Sequence, residues 1–146
     1  QARALARRAD FLSVGSNDLT QYLLAVDRNN ARVADLYHSF HPAVLRALQD
    51  VASAGREAGK PVSICGELAG DPLAAILLLA MGYDVLSMNA TSLTRVKKAV
   101  RNIGYQRARE VLEDVMTLDH ATAVYQYLER VMREHGLQQF LHGAVS

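Results

Sequence analysis

Three short apolar runs, separated by longer stretches with helical periodicity, constrain the fold of this chain most. The runs lie at 11–14, 62–65 and 85–88. They are apolar without clean alternation, which is typical of parallel strands buried on both faces. We therefore predict strands at about 10–15, 61–66 and 84–88. Strands that alternate with helices indicate βαβ units, so the fold class is α/β with a parallel sheet.

Cap and stop residues divide the intervening segments into helices. Pro42 suits a first helical position and Gly59 suits a helix end, which predicts one amphipathic helix between them. Asp71 is expected to cap the next helix, and Ser92 and Asp119 to cap two later ones. The predicted order is helix, β, α, β, α, β, α, α, α. The segment 137–146 is weakly patterned and is expected to fray.

The composition excludes several classes of protein. The chain has 146 residues, of which 50% are hydrophobic, and a net charge of +1, a balance that argues against disorder. Its longest apolar run, Leu73 to Met81, is too short for a membrane span. The near-neutral charge gives no reason to expect a nucleic acid partner. A single cysteine allows no internal disulfide, which favours a reduced cytoplasmic setting.

Three strands make a thin sheet for so many helices, and the first residue is Gln rather than Met. A closed (β/α)₈ barrel needs about 250 residues. We therefore expect the chain to be a fragment of a larger parallel α/β domain.

Two polar clusters follow predicted strands, at 15–20 and at 65–71. Ligands of parallel α/β folds bind at the carboxyl ends of the strands, so these clusters are candidate site segments. Each also has a purely structural interpretation. Asn-Asp pairs are common in turns and caps, a lone cysteine is often a small buried hydrophobe, and Arg28 would ordinarily be a solvated loop charge. Spacing alone leaves a possible anion or metal site open.

The clusters belong to longer motifs that resemble a known family. The motifs are GSNDLTQY at 15–22, AVDR at 25–28 and CGELAGD at 65–71. They closely resemble the enzyme I family of the phosphoenolpyruvate phosphotransferase system, in the right order, from about residue 9 to residue 105. Details at 11–16 and 26–30 look most like the nitrogen-related branch.

The resemblance implies a fold for the whole chain. The family's phosphoenolpyruvate-binding domain is a (β/α)₈ TIM-type barrel, and the three strands here would be its sixth, seventh and eighth. Residues 1–146 would then be the C-terminal part of that domain, with 117–146 as a less specific helical extension.

The resemblance also implies an activity. Such enzymes take the phosphoryl group from phosphoenolpyruvate in a Mg²⁺-dependent reaction, pass it to their own histidine and then to a small phosphocarrier protein, and release pyruvate. In full-length members of the family this domain also mediates dimerisation, and a three-strand piece of a barrel leaves apolar strand edges that favour association, so we expect a homo-oligomer. The histidine segment has no counterpart here, so we expect the fragment alone to be inactive.

Residue roles follow by the same resemblance. Asp18 aligns with a magnesium-binding carboxylate, Asn17 with a phosphate ligand and Arg28 with an arginine that pairs with anionic oxygens of the substrate. Cys65 aligns with the acid that protonates the enolate carbon; a thiol is protonated at neutral pH and can donate. Glu67 is expected to support the residues that contact the substrate without contacting the substrate itself.

Two alternatives stay open at this point. One is a fragment of pyruvate phosphate dikinase or phosphoenolpyruvate synthase, whose usual sequence after the cysteine differs from the one found here. The other is a non-catalytic interaction module that docks a partner through the helices after residue 92.

Overall fold

The structure is a computed structural model that describes residues 1–143. Its strands are Leu12–Gly15 (β1), Val62–Cys65 (β2) and Val85–Ser87 (β3). Its α-helices are Ala2–Ala6 (α1), Ser16–Leu24 (α2), Pro42–Ala58 (α3), Pro72–Met81 (α4), Ala90–Asn102 (α5), Tyr105–Val115 (α6) and Ala121–Glu134 (α7). Short 3₁₀ helices lie at Ala34–Leu36, Leu68–Gly70 and Gln138–Gly143.

The three strands form one parallel sheet in the order β1-β2-β3. All three lie within the predicted ranges, and the prediction of an α/β fold with a parallel sheet is confirmed. At the carboxyl end of the sheet, Gly15 pairs with Cys65, and Cys65 pairs with Ser87. The last residues of all three strands therefore lie side by side.

Two of the predicted helix boundaries are confirmed by their caps. Helix α3 begins at Pro42 and is ended by its C-cap Gly59, which has the left-handed conformation (φ +63°) that favours glycine. Helix α4 is capped by Asp71, whose Oδ1 accepts hydrogen bonds from the backbone N–H groups of Leu73 (2.7 Å) and Ala74 (3.4 Å). These contacts satisfy donors that the first turn of a helix leaves free.

Two other cap predictions are wrong. Helix α5 is capped by Asn89, whose Oδ1 accepts from the N–H of Ser92 (2.8 Å), so Ser92 lies inside the helix. Helix α7 starts after His120 rather than Asp119, and His120 makes no side-chain capping bond. In both runs neighbouring polar residues offer more than one cap position, so the sequence does not single out one of them.

Helix α2 is absent from the predicted order. It begins at Ser16, directly after β1, with Gly15 as its N-cap. The polar run at 16–18 therefore forms the first turn of a helix and not a loop.

The core lies between one face of the sheet and the helices. Helix α4 is apolar nearly all round, and all but one of its residues are buried, as predicted. On the sheet, Val14, Val62 and Ile64 point into this core. Burial of such side chains contributes about 1.5–3 kcal/mol each.

The opposite face of the sheet is open, which corrects the prediction that the strands are buried on both faces. The residues that alternate with the core positions are mostly small or polar and largely exposed; they are Ser13, Gly15, Ser63, Cys65, Val85 and Ser87. Only the helix-facing side of the strands is covered by the described residues.

The C-terminal segment is better anchored than its weak pattern suggested. Leu137 and Leu141 are buried in the core, which corrects the expectation of fraying for this part. The remainder of that expectation, 144–146, lies outside the described residues. Within 1–143, no helix combines the length and the hydrophobicity that crossing a bilayer requires.

Candidate functional site

The sheet register places four of the five predicted site residues around the ends of β1 and β2. Asn17 and Asp18 occupy the first turn of α2, because that helix starts immediately after β1. Cys65 is the last residue of β2 and pairs with Gly15, the last residue of β1. Glu67 follows two residues after Cys65. Neighbouring parallel strands lie about 5 Å apart, so these groups lie together at the carboxyl end of the sheet.

Asn17 and Glu67 are joined by two hydrogen bonds. The backbone N–H of Glu67 donates to Asn17 Oδ1 at 3.1 Å, and Asn17 Nδ2 donates to Glu67 Oε1 at 3.4 Å. The buried Ser16 hydroxyl also lies 3.4 Å from Asn17 Oδ1. The loop after β2 is thereby attached to the first turn of α2.

This close approach requires glycine at position 66. Gly66 has φ +97°, a conformation that L-residues with side chains rarely adopt. A Cβ atom there would lie 2.4 Å from Ser16 Oγ and 3.0 Å from Asn17 Oδ1. Both the positive φ and the lack of space for a Cβ atom therefore require glycine at position 66.

Asp18 is exposed, and its carboxylate lies beside Gly15: a Cβ built on that glycine would be 3.6 Å from Asp18 Oδ2. Within residues 1–143, no group of three or more His, Cys, Asp or Glu residues could hold a metal. Mg²⁺ often takes only one or two protein carboxylates and completes its shell with water and substrate oxygens. The single hard-oxygen ligand offered here fits that partial donor set.

Cys65 is an exposed free thiol on the open face of the sheet. The alternative interpretation of this cysteine as a small buried hydrophobe is therefore wrong. Its neighbours across the sheet are Gly15 and Ser87, both small, so the space in front of the sulfur is not filled by adjacent side chains.

Arg28 is not brought into contact with the other predicted site residues. It lies exposed in the turn after Asp27, and its backbone N–H donates to Gln21 Oε1 at 3.4 Å. In the part of the chain that the structure describes, its guanidinium makes neither a hydrogen bond nor an ion pair.

A cavity of about 850 Å³ adjoins the carboxyl end of the sheet. Asn17 and Glu67 line it, together with Tyr37, Asp71 and Arg95. Burial raises the pKa of the Asp71 carboxyl, while its bonds from backbone N–H groups and the charge of Arg95 act in the opposite direction. Asp18, Arg28 and Cys65 do not line this cavity.

Tyr37 is a site neighbour that the sequence did not indicate. Its hydroxyl donates to the backbone carbonyl of Asn17 at 3.2 Å, across 20 positions of the chain. The segment that carries it is irregular apart from one short 3₁₀ helix, so neither periodicity nor spacing could have found this contact.

Comparison with known proteins gives a consistent result. Residues 1–105 match the family model described as PEP-utilising enzyme, PEP-binding domain, where PEP is phosphoenolpyruvate. A protein of Salmonella typhimurium named phosphoenolpyruvate-dependent phosphotransferase system is 44% identical over 141 residues, 97% of this chain and 19% of that protein.

Two further relatives are named phosphoenolpyruvate-protein phosphotransferase. The protein of Haemophilus influenzae is 43% identical over 93% of this chain and 24% of its own length. The protein of Geobacillus stearothermophilus is 42% identical over 88% of this chain and 22% of its own length. The chain spans about a fifth to a quarter of the length of these curated relatives. The resemblance found in the sequence motifs is confirmed.

Proposed function

This chain belongs to the PEP-binding domain family of PEP-utilising enzymes, and from that membership we propose that it forms part of the active site of a phosphoenolpyruvate–protein phosphotransferase. The whole enzyme takes the phosphoryl group of PEP to one of its own histidines and then to a small phosphocarrier protein, and it releases pyruvate. The observation that carries the proposal is the grouping of Asn17, Asp18 and Cys65 at paired strand ends.

We propose that β1, β2 and β3 are three neighbouring strands of a (β/α)₈ barrel. The parallel order and the helix-covered outer face support this arrangement. The open face of the sheet would then line the interior of the barrel, which side chains from alternate strands fill in layers. Active sites of such barrels lie at the carboxyl ends of the strands, where the grouped residues are found.

Two residues are assigned to the anionic groups of PEP. The Asn17 amide would donate to a phosphate oxygen. It lies at the carboxyl end of the sheet, and its hydrogen bonds with Glu67 fix its orientation. Arg28 would pair with anionic oxygens through its guanidinium fork. Arg28 lies in an exposed turn, and its guanidinium has no hydrogen-bond or ion-pair partner among the described residues, so it is available to an anionic ligand.

Cys65 is assigned as the acid that completes the reaction. When the phosphoryl group leaves PEP, the remaining enolate needs a proton on its methylene carbon to become pyruvate. The assignment is supported by a Cys65 thiol that is free, exposed and at the carboxyl end of β2, since a protonated thiol can donate. No covalent bond between sulfur and substrate is needed.

Asp18 is assigned as a ligand of Mg²⁺, for which it supplies one carboxylate oxygen donor in this chain. When bound, the metal would offset negative charge on substrate oxygens. Asp18 itself stays in the first turn of α2, where a carboxylate is also favoured by the helix dipole.

The decisive test is Cys65→Ala in the protein that contains this chain, with pyruvate formation from PEP as the measurement. We expect pyruvate release to be abolished, because the proton donor is lost. Ser13→Ala, on the same open face, is the matched control and should keep wild-type activity. Unchanged pyruvate release by Cys65→Ala would overturn the proposal and favour an interaction module that has no catalytic role.

A further inference from the structure

Asn17 is held so that its amide can face only one way. Its oxygen accepts from the Glu67 backbone N–H, and its nitrogen donates to the Glu67 carboxylate. If the amide were rotated by half a turn, its NH₂ group would meet the Glu67 N–H, and its oxygen would meet the carboxylate. Both contacts would then be repulsive, so Glu67 selects a single orientation.

The proton count of this amide leaves one donor available. The Asn17 nitrogen carries two protons, and one of them is used by Glu67 Oε1. The second has no acceptor among the residues that the structure describes. Asn17 is only partly buried, so this proton can reach a ligand at the carboxyl end of the sheet.

The backbone of Asn17 is fixed by a second side chain. The Tyr37 hydroxyl donates to the Asn17 carbonyl at 3.2 Å. Tyr37, Asn17 and Glu67 also line the same cavity, whereas Cys65 and Asp18 do not. Glu67 and Tyr37 therefore both contact Asn17 and share with it a cavity that the cysteine and the carboxylate do not line.

We propose that Glu67 and Tyr37 are positioning residues, which orient Asn17 so that one amide proton is free for an anionic oxygen of the substrate. This inference rests on the proposed function, since it assumes that Asn17 contacts the substrate. Neither residue needs to touch substrate. A carboxylate beside an anionic substrate is unfavourable by charge alone, so Glu67 has to act through the hydrogen bonds that it makes with Asn17.

The test is a double-mutant cycle in the protein that contains this chain, read as kcat and KM for PEP. Glu67→Ala should lower kcat/KM about five- to tenfold, as expected for the loss of one ordinary hydrogen bond. Glu67→Gln keeps the acceptor oxygen and should match or exceed the wild type. In an Asn17→Ala background, Glu67→Ala and Tyr37→Phe should each have no further effect on kcat/KM, because the side-chain amide that they orient is gone, although the backbone carbonyl that Tyr37 contacts remains.

Glu113→Ala removes another exposed glutamate, on α6, and serves as the control, with wild-type kinetics expected. The inference is overturned if the losses from Glu67→Ala and Asn17→Ala multiply, or if Glu67→Gln is as impaired as Glu67→Ala. Those outcomes leave the proposed function intact, provided that Cys65→Ala is inactive. Retained activity in Cys65→Ala would instead count against the proposed function itself.

Discussion

At the scale of single residues, Asp71 shows two opposed effects on one carboxylate. It caps α4 through two backbone N–H groups, and such caps stabilise a helix by about 1 kcal/mol. Burial, however, disfavours its charged form and raises its pKa. An acid whose pKa is raised by folding binds its proton more tightly in the folded state. Its favourable contribution is complete below the ordinary value of 3.8 and is lost as the pH rises through the raised folded value.

Asp71→Asn separates these effects, because asparagine is an equally good cap without the charge. We expect the variant to have a higher Tm than the wild type at pH 7, and the difference to shrink as the pH falls toward 4. Thermal denaturation at several pH values measures this. Asp71→Ala, which loses the cap, should be about 1 kcal/mol less stable than Asp71→Asn throughout. A Tm difference that does not change with pH would show that burial of this charge has no net cost.

Among elements, the contact between the β2 loop and α2 depends on Gly66. Gly66→Ala would combine a strained positive φ with a Cβ 2.4 Å from Ser16 Oγ. We expect it to break both Asn17–Glu67 hydrogen bonds and to cost about 1–3 kcal/mol of unfolding free energy. Denaturant unfolding measures the loss, and kcat/KM in the whole protein should fall with it.

Gly59→Ala is the matched comparison for this prediction. Gly59 also has a positive φ of +63°, but nothing lies within 4 Å of an added Cβ. It should therefore show only the conformational cost, about 1 kcal/mol. Equal losses at the two positions would mean that the contact with α2 contributes nothing beyond backbone strain.

The elements also show how far the sequence determines the structure. The strands, α3 and α4 were predictable because apolar periodicity and Pro, Asp and Gly signals coincide at their ends. Helix α2 was not predictable, because its first turn consists of polar residues that also favour turns. In addition, the residues that this helix buries, Ser16 and Thr20, are polar and give no apolar periodicity. Thr20 is satisfied by the Ser16 carbonyl at 2.8 Å, a contact that hydropathy does not reveal.

The same reasoning applies to the site. The order of the strands predicted that Asn17, Asp18 and Cys65 lie at the carboxyl end of the sheet. The roles proposed for them rest only on the family resemblance. The Asn17–Glu67 and Asn17–Tyr37 contacts span 50 and 20 positions, and they depend on how loops pack. The open face of the sheet was not predicted, because Ser13 and Ser63 are single polar residues in short runs that are otherwise apolar or small.

At the scale of the whole molecule, the described chain leaves one sheet face and two sheet edges uncovered. Ser13, Cys65 and Ser87 lie on the open face, and neither outer strand has a second partner within the described residues. Large apolar side chains are exposed near both edges: Phe11 (62%) near β1 and Val85 (53%) on β3. Exposed strand edges with apolar side chains favour pairing with another chain.

We therefore expect the 146-residue chain on its own to form a dimer or larger oligomer, measured by light scattering over a wide concentration range. Val85→Lys places a charge on the edge strand β3, where lysine opposes strand pairing, and should shift the population toward monomer. Glu113→Gln raises the net charge by the same one unit on the exposed side of α6, distant in sequence from the sheet, and should leave the association unchanged. A wild-type chain that stays monomeric at every concentration would show that the uncovered face and edges do not drive assembly. Equal effects of Val85→Lys and Glu113→Gln would assign any change in association to net charge instead of the strand edge.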